Sequence, residues 1–593
     1  MKSLFAINKY LIKYIWYLIG GTIFIALSNL FALYPAQITR KTIDYIAIGL
    51  KQKNVVGETV WQNETIKEFT SQFLMLLAMV IGATILKGIF MFFMRQTIIV
   101  MSRRIEFEQK NEIYKHYQQL PQSFYKHNST GDLMSRISED VGQVRMYTGP
   151  AIMYSLNLII LFFVTITAMV RVNSELTLYV LLPLPLLSIS IYYVSDIINK
   201  KSMKLQTQLS SISTFVQETF SGIRVIKGFN RENVFHTNFS KSTREYYERS
   251  IDLVKTEAIF APTITLLIGL STLITIYIGG RQAIIGKITI GNIAEFVMYV
   301  NMLTWPVTSI GWVTSVIQKA AASQQRINEF LNVKNDIVNV TSKPFELKGN
   351  IEFRNVTFTY ANTNITAIKN LSFKLDAGKS LGIIGNTGSG KSTIAALITR
   401  VYDATEGEVL IDGINIKEIN LDDFRKQIGY VPQDVFLFSD TVANNIGFAA
   451  DEIKMNDIIE VAKLTDVHEN ITNFSKGYET IVGERGITLS GGQKQRISIA
   501  RALLKNPKMY IFDDCLSAVD TVTENHILNN LEKQSLGKTS VLISHRASTI
   551  KNAEHIIVLE SGQLIEQGTH SELMNYKGSY ASLFEKQQVV KSN

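Results

Sequence analysis

The chain is poor in cysteine and in charge. Among its 593 residues there is one cysteine, Cys515, and charged residues make up 19%. A single thiol excludes an intrachain disulfide and offers no cysteine metal cluster. Hydrophobic residues reach 46% and mean hydropathy is positive. That is too apolar for an ordinary soluble enzyme and directs attention to membrane spans. No cleavable leader is expected either. The N-terminus is short and basic, and its apolar stretch is long enough to span, so it is expected to remain as a helix. The net charge of +9 would suit a nucleic-acid binder. The lysines and arginines are scattered between apolar segments, however, as in loops held on the cytoplasmic side of a membrane, so no nucleic-acid partner is expected. The length exceeds that of one ordinary domain.

Six apolar segments lie at about 14–36, 69–94, 148–170, 176–198, 258–279 and 293–317, each near the ~20 residues a bilayer demands. They predict six transmembrane helices. Residues 171–175 leave room only for a tight outer hairpin between the third and fourth. Basic residues before the first span and after spans two and four put the N-terminus and the C-terminal part inside, although the first outer loop is fairly basic as well. The long segments after spans two and four keep helical periodicity, with Ile105, Ile113, Tyr117 and Leu120 at helical spacing. They read as long intracellular helices, turning near 128–132 and 219–223, that either transmit motion or act as a solvated spacer. Two charges sit inside apolar segments. Lys87 either contacts substrate or snorkels to the inner surface. Glu295 either contacts substrate or simply sits in the first helical turn, where the dipole favours a carboxylate.

From residue 351 strands and helices alternate, as in an α/β domain with a mostly parallel sheet. The expected division is a membrane domain over 1–334, a linker over 335–348 and a nucleotide-binding domain over 349–593. Gly385-Asn386-Thr387-Gly388-Ser389-Gly390-Lys391-Ser392-Thr393 fits G-x-x-x-x-G-K-[ST], between a buried strand and a helix. Its glycines let backbone N–H groups form a nest for phosphates. Lys391 supplies a charge for the outer phosphates, and the Ser392 hydroxyl can ligate Mg²⁺. The strand at 508–513 delivers Asp513, a carboxylate suited to Mg²⁺. Asp514 follows it and can polarise an attacking water. At 489–493, Leu-Ser490-Gly491-Gly492-Gln493 opens a helix expected over 494–504. It reads as a second anion site that two copies would share head to tail, or as a helix start after a loop.

These motifs, in this order and across essentially the whole chain, resemble the ATP-binding-cassette exporters in their half-transporter layout. The resemblance implies an all-α membrane domain followed by an α/β P-loop ATPase, with ATP and Mg²⁺ bound. It implies that Tyr360 stacks on adenine and that Gln433 links Mg²⁺ and water to the membrane helices. By the same likeness, 480–486 contacts the intracellular helices and 489–493 is the family signature. Residues 517–520, ending in Asp520, would cross a dimer interface, and His545 would sit near the γ-phosphate. Segments 130–136 and 218–227 resemble the two coupling segments. The implied activity is ATP-driven export or flipping by alternating access. The cavity, poor in charge, favours a lipid or an amphipathic drug. The expected location is a multi-pass place in a membrane, the bacterial plasma membrane by the likeness.

One residue departs from the family. Asp514 stands where a glutamate base is usual, and its oxygens fall roughly 1.5 Å short. Misplacement on that scale can cost ~10²-fold in rate. The change resembles the weakly hydrolysing half of a heterodimer, whereas the intact His545 fits a homodimer, and both readings stand. A peptide-processing exporter is not expected, because the sole cysteine lies in the nucleotide domain. An ATP-gated channel or a regulatory ATPase is the alternative to a pump.

Overall fold

The computed structural model describes residues 2–56, 64–450, 452, 454–483 and 489–592. Two compact units result: Met1–Gln118 with Thr130–Val333, and Gln119–Ser129 with Lys334–Asn593.

The first unit is helical. Its helix α1 (Ile15–Val56) is followed by α2 (Glu64–Gln119). The short α3 (Gln122–His127) belongs to the other unit. Next come α4 (Thr130–Val172), α5 (Ser174–Leu181), α6 (Pro183–Ser221), α7 (Glu232–Ile284) and α8 (Ile290–Leu331). Helix α4 loosens into π-helical turns at Arg136–Asp140 and Tyr147–Ala151, the second containing Pro150, which withholds a backbone donor. The outer hairpin shrinks to one non-helical residue, Asn173, whose side chain accepts from the Leu176 N–H and caps α5. Thr289 and Asn292 form a reciprocal cap at the start of α8.

Among the described residues, four helical stretches are long and apolar enough to cross a membrane: Ile15–Ile48, Thr70–Gln119, Thr130–Val172 and Glu232–Ile284. The segments expected at 176–198 and 293–317 are not among them. The first is divided between α5 and α6, and α6 soon turns polar at Asp196, Asn199 and Lys200. The second carries Glu295 and Asn301 among its apolar residues. On α2, Phe73, Leu74, Leu77, Ile81, Ile85 and Phe92 are exposed, an apolar band of the kind lipid would cover. Lys87 lies on this exposed helix.

A packed core joins Leu33 and Ala36 of α1 to Met169 of α4, Val180 of α5 and Phe296, Tyr299, Leu303 and Val307 of α8. Glu295 is not in the first turn of α8, as expected from the sequence, but one turn further in, because α8 already begins at Ile290. It is 1% exposed, and the Arg40 guanidinium donates to it at 3.2 Å and the Tyr299 hydroxyl at 2.7 Å. Its charge is therefore answered by α1 rather than by the helix dipole. Asp44, one turn beyond Arg40, accepts from the Gly291 N–H and the Thr289 hydroxyl, at 2.9 Å each.

The second unit holds two sheets. An antiparallel sheet has the order β2-β1-β4-β5, from β1 (Ile351–Tyr360), β2 (Ile365–Leu375), β4 (Glu406–Ile411) and β5 (Ile414–Asn415). The sequence reading, which expected a mostly parallel sheet, did not separate it. The other sheet runs β10-β9-β3-β8-β7-β6 and is parallel except at its β9–β10 edge. Its strands are β3 (Ser380–Gly385), β6 (Ile428–Val431), β7 (Met509–Asp513), β8 (Thr539–Ile543), β9 (His555–Glu560) and β10 (Gln563–Gly568). Buried Ile383, Ile511, Val541 and Ile557 on neighbouring strands fill one face of the sheet with Ile394 and Leu397. This fixes the register and brings the carboxyl ends of β3, β6, β7 and β8 to one edge, where ligands of open α/β sheets bind.

Candidate nucleotide site

Strand β3 ends at Gly385 and the chain turns into helix α9 (Lys391–Ile398). Two glycines in the turn have positive φ, Gly388 at +80° and Gly390 at +98°. A Cβ on Gly390 would collide with the Ala367 carbonyl, whereas one on Gly388 would meet open space. Lys391 folds back and donates to the Gly385 and Asn386 carbonyls, both at 2.9 Å. Burial holds its pKa below that of an ordinary lysine. The Ser389 hydroxyl is buried and without a partner among the described residues, a donor available to a phosphate oxygen.

Ser392 donates to Asp513 at 2.9 Å, across 121 residues of sequence. Asp513 closes β7 and is 2% exposed, and burial pushes its carboxyl up to about 6. This pair of hard oxygen donors fits a small divalent cation. Asp514 leaves the strand with φ +46°, and its N–H donates to the Ile543 carbonyl at 2.9 Å. The turn aims its carboxylate between the ends of β8 and β6. Oδ1 lies 2.8 Å from Nδ1 of His545, and Oδ2 lies 3.4 Å from Nε2 of Gln433.

Tyr360, at the end of β1, bonds through its hydroxyl to Thr393 at 3.1 Å. Phe358 and Tyr402 stand nearly perpendicular to its ring, with centroids 4.8 and 5.6 Å away. The sequence reading missed Tyr402, which lies in the irregular chain between α9 and β4.

The signature residues group elsewhere in this unit. Helix α10 runs over Gly491–Leu504, so Gly491 and Gly492 lie in its first turn instead of preceding a helix from 494. The reason is Ser490, which caps that turn in a reciprocal box with Gln493. Gln495 then bonds the Ser517 hydroxyl and the Ala518 N–H, each at 3.0 Å. A Cβ on Gly492 would press on the Ala518 carbonyl. The signature and the 517–520 loop are thus fastened together. Asp520 caps the helix that follows through the Thr523 N–H. The sequence reading also missed Glu524, 3% exposed, which accepts from Arg546 and Thr549 just beyond His545. Of the 480–486 segment, residues 484–486 lie outside the described residues.

A family model for the ABC transporter transmembrane region matches residues 15–307, and one for the ABC transporter matches residues 368–517. The multidrug resistance-like ATP-binding protein MdlA of Escherichia coli (strain K12) is 34% identical, over 91% of this chain and 92% of that protein. The ATP-dependent lipid A-core flippase of Photobacterium profundum is 34% identical, over 85% of this chain and 86% of its own length. A bacterial Atm1-family ABC exporter, solved with ATP bound, shares the fold at TM-score 0.78. That match has 24% identity and covers 96% of this chain and 99% of the other. On its family matches and on relatives aligned over nearly their full length, the chain belongs to the ABC transporters.

Proposed function

We propose that the chain is one half of an ATP-driven exporter that moves a lipid or an amphipathic, drug-like molecule across the bacterial plasma membrane. The relatives named as multidrug-resistance-like proteins and lipid A-core flippases support this substrate class. In this reading six helices span the bilayer within residues 1–334, 335–348 is a linker and 349–593 hydrolyses ATP on the cytoplasmic side. Two halves alternate between inward and outward access as two ATP molecules draw their nucleotide domains together.

The observation that carries the reading is the convergence of Asp514, His545 and Gln433 beside Lys391 and Ser392. The loop 385–393 cradles the phosphates through backbone N–H groups and Lys391, and Tyr360 takes the adenine. Ser392, Asp513 and Gln433 would hold Mg²⁺, which supplies neutralisation of phosphate charge. Asp514 then orients and deprotonates the attacking water. His545 holds that carboxylate through Nδ1 and steadies it as a base, as the third member of a triad orients its histidine. Ser490, Gly491, Gly492, Gln493 and Asp520 complete the site of the opposite half.

The bond from His545 favours a working base and a homodimer. The short side chain of Asp514 favours the second reading, a weakly hydrolysing half whose partner carries glutamate.

Inside-out vesicles holding the chain test the pump. ATP is expected to drive uphill accumulation of a fluorescent amphipathic dye or a labelled phospholipid, and Lys391→Ala, at equal protein level, is expected to abolish it. ATP-triggered flow only down the gradient would instead indicate a gated channel. Hydrolysis without any movement of either probe would indicate a regulatory ATPase.

A further inference from the structure

Residues Gln119–Ser129 leave the helical unit between α2 and α4 and cluster with the nucleotide unit. Their short helix α3 carries Lys126. Its ammonium lies 5.2 Å from the centre of the Tyr360 ring and 5.4 Å from that of Tyr402. Both distances are within the reach of a cation–π contact. Lys126 makes no ion pair among the described residues, so these two rings are what its charge meets.

The neighbours of Tyr360 frame the position of the lysine. Phe358 and Tyr402 pack nearly perpendicular to the ring, and its hydroxyl is tied to Thr393 in the first turn after the phosphate loop. Tyr360 is half-buried by these neighbours, while Lys126 is exposed. The exposed ammonium thus sits over the ring of the half-buried Tyr360, in the angle it makes with Tyr402. A base whose phosphates occupy the 385–393 loop would approach that same ring.

We propose that Lys126 and the nucleobase compete for the ring of Tyr360, so that base stacking displaces Lys126 and with it the seat of α3. Lys126 is then a positioning residue: it sets how strongly the base, as distinct from the triphosphate, contributes to binding. By linkage, whatever moves α3 changes base affinity and base binding moves α3. The inference rests on the reading of Tyr360 as the adenine platform.

The test measures equilibrium binding of ATP and of inorganic tripolyphosphate to the full-length protein in lipid, without magnesium so that hydrolysis does not intervene. An exposed cation–π contact corresponds to about a two- to five-fold change in affinity. Lys126→Met should therefore bind ATP about two- to five-fold tighter relative to tripolyphosphate, and Lys126→Arg should keep the wild-type ratio. An unchanged ratio in Lys126→Met would overturn the proposal. So would a ratio shifted toward weaker ATP binding, which would mean that the lysine holds the base instead of competing with it. Tyr360→Ala separates the two levels of the argument. If it leaves the ratio of ATP to tripolyphosphate untouched, the platform reading itself fails. If it lowers ATP binding while Lys126→Met changes nothing, only the competition fails.

Discussion

Asp514 and His545 face each other across neighbouring parallel strands, with 2.8 Å between carboxylate Oδ1 and imidazole Nδ1. The contact depends on the backbone as much as on the side chains. Asp514 adopts φ +46°, a conformation asparagine and aspartate tolerate better than most residues, immediately after β7 ends. The left-handed residue turns the short side chain toward His545 and Gln433. A chain with aspartate at this position therefore still directs a carboxylate to the edge where its phosphate loop lies.

The phosphate loop should distinguish two glycines that look alike in the motif. At Gly390 an alanine meets both a positive φ and the Ala367 carbonyl, while at Gly388 it meets only the positive φ. Gly388→Ala is expected to cost about 1–3 kcal/mol, the usual cost of a strained backbone, and to retain some nucleotide binding. Gly390→Ala is expected to cost more and to abolish binding. Thermal melting and ATP titration of the purified variants give the comparison, and equal effects would count against the contact with Ala367.

In the membrane unit the Arg40–Glu295 pair should matter through its buried member. Arg40→Met leaves a carboxylate that is 1% exposed with, among the described residues, the Tyr299 hydroxyl and the Asn292 amide. Breaking a buried pair from one side costs about 3–5 kcal/mol, whereas removing both charges is often close to neutral. The melting temperature of Arg40→Met is expected to fall clearly. Arg40→Met combined with Glu295→Gln is expected to recover most of the loss. No recovery would show that the arginine acts by packing rather than by charge.

Asp513 makes a pH prediction. Its carboxyl is raised from 3.8 to about 6 by burial, so the folded protein holds this proton more tightly than the unfolded chain. The associated stability is fully present below the unfolded value and is lost as pH rises through about 6. Asp513→Asn removes the titration. The nucleotide-free variant is expected to melt above wild type at about pH 7.5, and the gap should close as pH falls toward about 5. A gap that does not change with pH would contradict the assignment.

What the sequence made legible was local or repeated. The phosphate loop is contiguous, and the aspartates at 513 and 514 follow an apolar strand, so their chemistry could be read before their positions were known. The sequence assigns Ser392 and Asp513 each to Mg²⁺, and the fold adds the hydrogen bond between them. What stayed hidden depends on segments that meet only in the fold. Arg40 and Glu295 lie 255 residues apart, and Lys126 reaches Tyr360 from a six-residue helix with no motif of its own. The apolar run begins later than the helix, so the sequence places Glu295 one helical turn too early. The sequence places Gly491 and Gly492 just before a helix from 494, whereas the Ser490–Gln493 box starts that helix at Gly491.

The most direct test of the account is the ATPase activity of this chain, purified alone in lipid, beside its Asp514→Asn and His545→Ala variants. If Asp514 is a base held by His545, the chain hydrolyses ATP without a second gene product. Asp514→Asn then loses at least about a hundredfold in rate, the lower range for a removed general base, and His545→Ala loses activity in the same direction. A chain that is inert alone, or an Asp514→Asn variant as active as wild type, would contradict this and direct the search to a partner half with glutamate at that position.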